Sequence, residues 1–246
     1  QRLIRGEIQA GDGWISFSRY MELALYAPGL GYYSAGSHKL GAAGDFITAP
    51  ELSPLFGRTM ARQVAELLAQ DIPDVIELGA GSGALAAVLL SELAALNQLP
   101  QRYLILEVSA DLRQRQQARL AATVPLLADR VSWLDRLPDQ LQAVVIGNEV
   151  LDALPVHRIR VDQGGVEEIG VIANDDHFAW ACRTAPATLQ QAVSGEDLPD
   201  DYESEINLAA PALISSLAQG LTRGALLFFD YGFPAQEFFH PQRNRG

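Results

Sequence analysis

Four apolar runs most constrain this chain: VIEL at 75–78, YLILEV at 103–108, AVVIGNEV at 143–150 and ALLFFDYG at 225–232. Each is nearly continuous in aliphatic and aromatic residues and lacks the alternation of a strand with one face in water. Strands of this kind are buried on both faces, which implies a parallel sheet covered by helices. The intervening segments supply those helices. ALAAVLLSELAALN (84–97) is built from strong helix formers. Ser109, with Asp111 in the following turn, is suited to cap a helix running to about Ala122. VSWL (131–134) reads as a further short strand. Upstream, Ser53 and Pro54 place a capping hydroxyl and a helix-compatible proline ahead of an apolar stripe at Leu55, Met60, Val64, Leu67 and Leu68, so a helix to about Gln70 is expected. The fold expected is α/β, with strands and helices alternating.

The rest of the chain frames that core. Residues 1–28 read as one or two helices. Residues 29–50, GLGYYSAGSHKLGAAGDFITAP, hold five glycines and form a long loop of the kind that acts as a lid. VHRIRV (156–161), EEIGVIA (167–173) and HFAWACRT (177–184) are short runs split by turn residues and read as an antiparallel meander. An acidic loop then leads to a helix ahead of the last apolar run. The expected organisation is an N-terminal cap and lid loop over 1–70, an α/β core over 71–155, a β-rich insertion over 156–205 and a return to the core over 206–246.

Composition excludes several functions. The 246 residues are 48% hydrophobic and 20% charged, as for a globular chain with a sizeable core. The formal net charge of −12 argues against a nucleic-acid partner, which needs a basic surface to neutralise phosphates. No apolar run approaches the ~18–20 residues of a membrane span, so no membrane insertion is expected. The four histidines show no ligand spacing, and no metal is expected. Cys182 is the one cysteine, which excludes an internal disulfide; in a β-patterned stretch it reads as a packing residue.

The chemistry is concentrated after the first strand, in IELGAGSGA (76–84). Gly79, Gly81 and Ala84 satisfy the dinucleotide pattern G-x-G-x-x-G/A. Gly79, Gly81 and Gly83, with Ser82 between the last two, equally satisfy G-x-G-x-G, the turn of S-adenosylmethionine methyltransferases. No Gly-Lys-Ser/Thr follows, which excludes a phosphate-binding Walker loop. Glu77 separates the two templates. A carboxylate just before the glycines sits badly with a pyrophosphate and suits a ligand bearing an ammonium group. Glu107, followed by Val108 at the end of the second strand, can accept from both ribose hydroxyls and so supports a nucleoside without choosing between the templates. At the end of the fourth strand, GNEVLDALP (147–155) sets Asn148, Glu149 and Asp152 where doubly wound sheets bind ligands. A dehydrogenase is the lesser alternative.

Six segments occur in a telling order: GYYSAG (31–36), GDFITAPELSPLFG (44–57), IELGAGSG (76–83), LEVSADLRQRQ (106–116), NEVLDALPV (148–156) and FDYGF (229–233). Together they resemble the MidA-like S-adenosylmethionine-dependent methyltransferases, over essentially the whole chain. That family includes a mitochondrial assembly factor of respiratory complex I that methylates arginine. The resemblance implies a Rossmann-like class I methyltransferase core with an N-terminal helical and loop cap and an inserted antiparallel β segment. It also implies further C-terminal core strands that are absent from this sequence. The implied cofactor is S-adenosyl-L-methionine, held by Glu77, Gly79, Gly81, Ser82, Gly83, Glu107, Val108 and Thr48. Glu149, Asp152 and Asn148 would act on the acceptor, with Asp45 and Glu51 facing it from the lid. The implied partner is a protein substrate, a respiratory-complex subunit, in the mitochondrial matrix of a eukaryote or the cytoplasm of a bacterium. Other acceptors, and a non-catalytic cofactor-binding assembly module, stay open at this level.

Overall fold

The computed structural model describes residues 1–33 and 48–244. Most of the glycine-rich lid segment, including Asp45, lies outside the described residues. In chain order the elements are α1 (Arg2–Ala10), β1 (Ile15–Ser16), α2 (Phe17–Tyr26), α3 (Ala49–Leu52), α4 (Pro54–Leu68), β2 (Asp74–Leu78), α5 (Ala84–Ala95), β3 (Arg102–Leu106), α6 (Ala110–Thr123), β4 (Val131–Leu134) and β5 (Leu141–Asn148). There follow β6 (His157–Asp162), β7 (Gly165–Ala173), β8 (Phe178–Thr184), α7 (Ala187–Ala192), β9 (Tyr202–Ile206), α8 (Ala209–Gly220), β10 (Leu221–Phe229) and α9 (Ala235–Phe238). These elements form two compact units, one of Pro28–Asp152 with Ile214–Asp230, the other of Gln1–Ala27, Ala153–Leu213 and Tyr231–Gly246.

The first unit holds a parallel five-stranded sheet in the order β10-β5-β2-β3-β4. Its apolar runs are buried as expected: all five residues of β2 are inaccessible, as are Val144, Val145 and Ile146 of β5. Leu89, Leu90 and Leu93 of α5 and Met60, Ala61 and Val64 of α4 fill one continuous core with Val75, Tyr103, Ile105 and Ile146. Sequence order runs outward from β2 to β3 and β4, then resumes on the opposite side with β5 and β10. The direction of winding therefore reverses between β2 and β5, and the crevice beyond their carboxyl ends is where such sheets bind ligands. In register, Leu78 of β2 pairs with Gly147 of β5 and Phe229 of β10 with Asn148. The strands expected over 143–150 and 225–232 stop short, so Glu149 and Asp230 are the first residues past their strands.

The second unit is an antiparallel sheet in which β7 pairs with β1 and β6 along one side and β8 along the other, and β9 pairs with β6. The expected three-stranded meander is present as β6–β8. The stretch read as an acidic loop instead contains β9, YESEI. Its polarity is met across the ladder: Glu203 accepts from Arg158 at 3.0 Å and from Arg160 at 2.5 Å, and is nearly inaccessible. Such cross-strand charge pairs stabilise a sheet without any apolar signal in the strand itself. Ile159, Leu189, Val193 and Ile206 form one apolar cluster of this unit, and Ile8, Ile15, Leu23 and Val171 another.

Gly170 in β7 makes room for the N-terminal segment. A Cβ there would lie 2.2 Å from the Trp14 ring and 2.3 Å from the Ile15 carbonyl oxygen. The Trp14 indole N–H donates to the Ala181 carbonyl at 2.9 Å, so the ring is fixed on the sheet. Gly170→Ala should therefore displace Trp14 and lower stability by ~1–3 kcal/mol, the range for overpacked sites, as read by denaturant unfolding followed by tryptophan fluorescence.

Candidate functional site

Gly79, Gly81 and Gly83 all have left-handed backbone, with φ of +59°, +53° and +81°. A residue with a Cβ is strained in that region by roughly 1–2 kcal/mol per position, so this turn selects glycine at all three. Gly83 is also the N-cap of α5, and a Cβ there would come within 3.3 Å of Gln116 Cα. The Gly79 N–H donates to the Leu106 carbonyl at 2.9 Å, joining the ends of β2 and β3. Where a Gly79 side chain would stand, Val150 Cγ2, at 3.8 Å, is the one atom within 4 Å among the described residues other than its chain neighbours. Gly79 is exposed and Gly81 half-buried, leaving a bare backbone ledge at the crevice.

Two carboxylates sit beneath that ledge. Glu77 is 3% exposed, and its Oε2 accepts from Tyr103 Oη at 2.6 Å. Burial raises its pKa to about 7, with the Glu107 charge pushing the same way and the Tyr103 hydrogen bond opposing. Glu107 is 5% exposed. Its Oε1 accepts from the Ser109 N–H at 3.0 Å and its Oε2 from Gln116 Nε2 at 3.0 Å. Burial raises its pKa, opposed by these hydrogen bonds and by Arg113. The Val108 N–H donates to the carboxylate as well, and the roughly four lone-pair sites of its two oxygens leave room for a further donor. Val108 is 72% exposed, because the strand expected over 103–108 ends at Leu106 and Val108 lies two residues past it.

Gln116 is a residue that sequence reasoning missed. It is fully buried on α6, and its amide makes three bonds: Nε2 to the Gly81 carbonyl at 2.9 Å and to Glu107, with Oε1 accepting from Trp133 Nε1 at 2.8 Å. The glycine turn and Glu107 are thus held by one side chain. Arg113, one turn earlier, donates to the Glu107 carbonyl at 2.6 Å and the Leu134 carbonyl at 2.8 Å. A polar side chain facing inward from LRQRQ was the available signal.

Across the winding reversal stands the end of β5. Asn148 is its last residue, and its Nδ2 lies 3.5 Å from Glu149 Oε1. Glu149 has φ of +52°, uncommon for a residue with a side chain. Burial and the Asp152 carboxylate raise its pKa, while the Ala49 N–H and the Asn148 amide oppose the rise. Tyr33 lies close enough that Asp152 and Glu149 add to the burial that raises its phenol pKa. No helix starts at Asp152, so it does not serve as a helix cap. Asp230, also missed, accepts from the amides of Val150, Leu151 and Asp152. Of the lid-side residues, Thr48 is the N-cap of α3 but makes no side-chain capping bond. Glu51 accepts from Ser82 Oγ of the glycine turn and lies 3.5 Å from Arg119 Nη1. Among the described residues no group of histidine, cysteine or acidic side chains is arranged to hold a metal.

Residues 55–246 match the model of a family described as "putative S-adenosyl-L-methionine-dependent methyltransferase". The mitochondrial protein arginine methyltransferase NDUFAF7 of Mus musculus is 31% identical, over 89% of this chain and 57% of its own length. The Drosophila melanogaster homolog is 30% identical, over 89% of this chain and 57% of its own. A crystal structure of a Burkholderia thailandensis protein bound to S-adenosyl-homocysteine superposes with a TM-score of 0.93 at 47% identity, covering all of this chain and 65% of that one. The chain therefore spans little more than half the length of these curated relatives.

Glu77 generates a test of the buried pair. Its folded pKa of about 7 stands above the ordinary 4.5, so the native state holds a proton that the unfolded chain releases between those values. Its contribution to stability is present below about pH 4.5 and is lost as pH rises through about 7. Glu77→Gln, which cannot ionise, should flatten that decline. The difference between the two unfolding curves should grow from pH 5 to pH 8, to at most ~3 kcal/mol for a displacement of this size.

Proposed function

The chain belongs to the S-adenosyl-L-methionine-dependent methyltransferase family that its residues 55–246 match, and from that premise we propose that it methylates an arginine side chain of a protein. The observation that carries the reading is the adjacency of the glycine ledge and the acidic end of β5. A Cβ on Gly79 would lie 3.8 Å from Val150 Cγ2, and Leu78 and Gly147 are paired neighbours in the sheet. A cofactor laid on the ledge and an acceptor held by Glu149 would meet across the winding reversal.

The residues fit the cofactor. A Cβ-free ledge with left-handed φ at three positions lets a ligand approach the backbone. Glu107, with donors from Ser109, Gln116 and the Val108 N–H, keeps acceptor capacity for a ribose hydroxyl, and the exposed Val108 offers an apolar face to a base. Glu77, with its pKa raised to about 7, gains from ionising when an ammonium group is near; Ser82 belongs to the same turn, and Thr48 would approach it from the start of α3. When bound, the cofactor supplies an electrophilic methyl group on a sulfonium.

The acceptor side must handle a poor nucleophile, because a guanidinium stays protonated with a pKa above ~12. Glu149 and Asp152 supply two carboxylates of the kind that grip a guanidinium through paired, charge-assisted hydrogen bonds. Asn148 orients Glu149. As the nitrogen gains a methyl it must lose a proton, and a Glu149 oxygen is suited to take it, since burial has already raised its affinity for one. Glu51 would reach the acceptor from the lid side, and Asp45, expected to join it there, lies outside the described residues. The names of the curated relatives support a protein acceptor, and the family resemblance points to a respiratory-complex subunit, in the matrix of a eukaryotic source or the cytoplasm of a bacterial one. No described helix is long and apolar enough to cross a membrane.

Calorimetry should detect S-adenosylmethionine binding to the full chain. Gly81→Val, which forces a β-branched residue into left-handed backbone, should abolish it, and Glu107→Ala should weaken it by ~10–150-fold, the worth of charge-assisted bonds at ~1.5–3 kcal/mol. Binding of NADH in place of S-adenosylmethionine would end this reading.

Glu149→Gln should keep cofactor affinity within a few-fold while abolishing label transfer from radioactive S-adenosylmethionine to an arginine-containing protein. Label recovered on a residue other than arginine would assign a different acceptor. Since Glu149 must be ionised to grip and its pKa is raised, wild-type transfer should fall on acidification at a higher pH than an unperturbed glutamate would set.

A further inference from the structure

Four consecutive backbone N–H groups follow β5, and all four point to the end of β10. The Glu149 N–H donates to the Phe229 carbonyl at 2.8 Å. The next three donate to the side chain of Asp230: Val150 at 3.0 Å and Leu151 at 2.6 Å to Oδ2, and Asp152 at 3.3 Å to Oδ1. Successive amides converging on one anion form a nest, and here the anion is built into the protein. We propose that Asp230 is a positioning residue for methyl transfer, setting the 149–152 segment so that Glu149 and Asp152 face the acceptor together; this rests on the arginine-methylating reading above.

The chemistry of the side chain supports this role. Three donors are shared over both oxygens, which an asparagine, with a single acceptor oxygen, cannot reproduce. The charge is also costly where it stands, because Asp230 is one of the groups that raise the Glu149 pKa. A carboxylate kept beside two others needs compensation, and the three amides provide it. The same bonds hold Glu149 at φ of +52°, so the direction of its side chain depends on the nest. With its oxygens turned to the backbone, Asp230 acts through Glu149 and Asp152, without gripping the acceptor itself.

Two measurements on the full chain test the proposal. In the wild type, the amides of 150–152 should resist hydrogen exchange as strongly as those of β5, although they lie outside any strand; rapid exchange there would overturn the nest. Asp230→Asn should accelerate exchange at 150–152 at least tenfold while β2 and β3 stay protected. The same variant should lower kcat for an arginine peptide at least tenfold at saturating cofactor, with the calorimetric Kd for S-adenosylmethionine within threefold of wild type. An unchanged kcat, or a parallel loss of cofactor affinity and protection throughout the sheet, would show a structural role only and refute positioning. If the wild type transfers no methyl to arginine, the functional reading fails, and the exchange data still decide whether Asp230 holds the segment.

Discussion

The double ladder of β5 carries the rest of this architecture. On one edge it pairs with β2 and on the other with β10, both in parallel. Parallel pairing of this kind is stable only where both faces are covered, so it requires α5 and the other core helices, which bury the sheet beneath Leu89, Leu90 and Leu93. It also determines which chain ends become neighbours. The glycine turn leaves β2, the acidic segment leaves β5, and Asp230 leaves β10, all at the same end of the sheet. Three stretches remote in sequence converge because one strand holds the other two in register.

Around that end, charge is managed by donors from the protein itself. An acidic chain that buries Glu77 and Glu107 near one another incurs desolvation and mutual repulsion. Tyr103 answers the first with a phenol hydroxyl, and Ser109 and Gln116 answer the second with N–H groups. Among the described residues, the side-chain donors to the two carboxylates are the neutral Tyr103 and Gln116. This keeps both responsive to a ligand: a cationic or hydroxyl-bearing molecule adds to their stabilisation without first displacing a salt bridge.

Much of the parallel sheet was legible because a strand buried on both faces advertises itself as a continuous apolar run. The G-x-G-x-G turn was equally legible, since left-handed backbone selects glycine strongly. β9 was not, because YESEI is satisfied by Arg158 and Arg160 on a strand more than forty residues earlier, and a local window sees only its charge. β1 is two residues long and exists only as a partner of β7. At the site, Glu149 and Asp152 stood out as acids at a strand end, whereas Gln116 and Asp230 did not. Their importance lies in bonds to backbone atoms of other segments, and no residue pattern encodes that.

The nest joins positions 79 apart in sequence, Leu151 and Asp230, with the antiparallel strands β6–β9 threaded between them. Closing a loop of that length costs entropy that grows only logarithmically, ~0.6 kcal/mol for each doubling. Lengthening or trimming the intervening chain should therefore disturb the equilibrium geometry of the segment very little. Folding order is another matter. Contacts of long sequence separation form late, and the segment after β5 cannot take its native shape until β10 has docked. Glu149 and Asp152, proposed to grip the acceptor, would then be among the last residues to be assembled during folding.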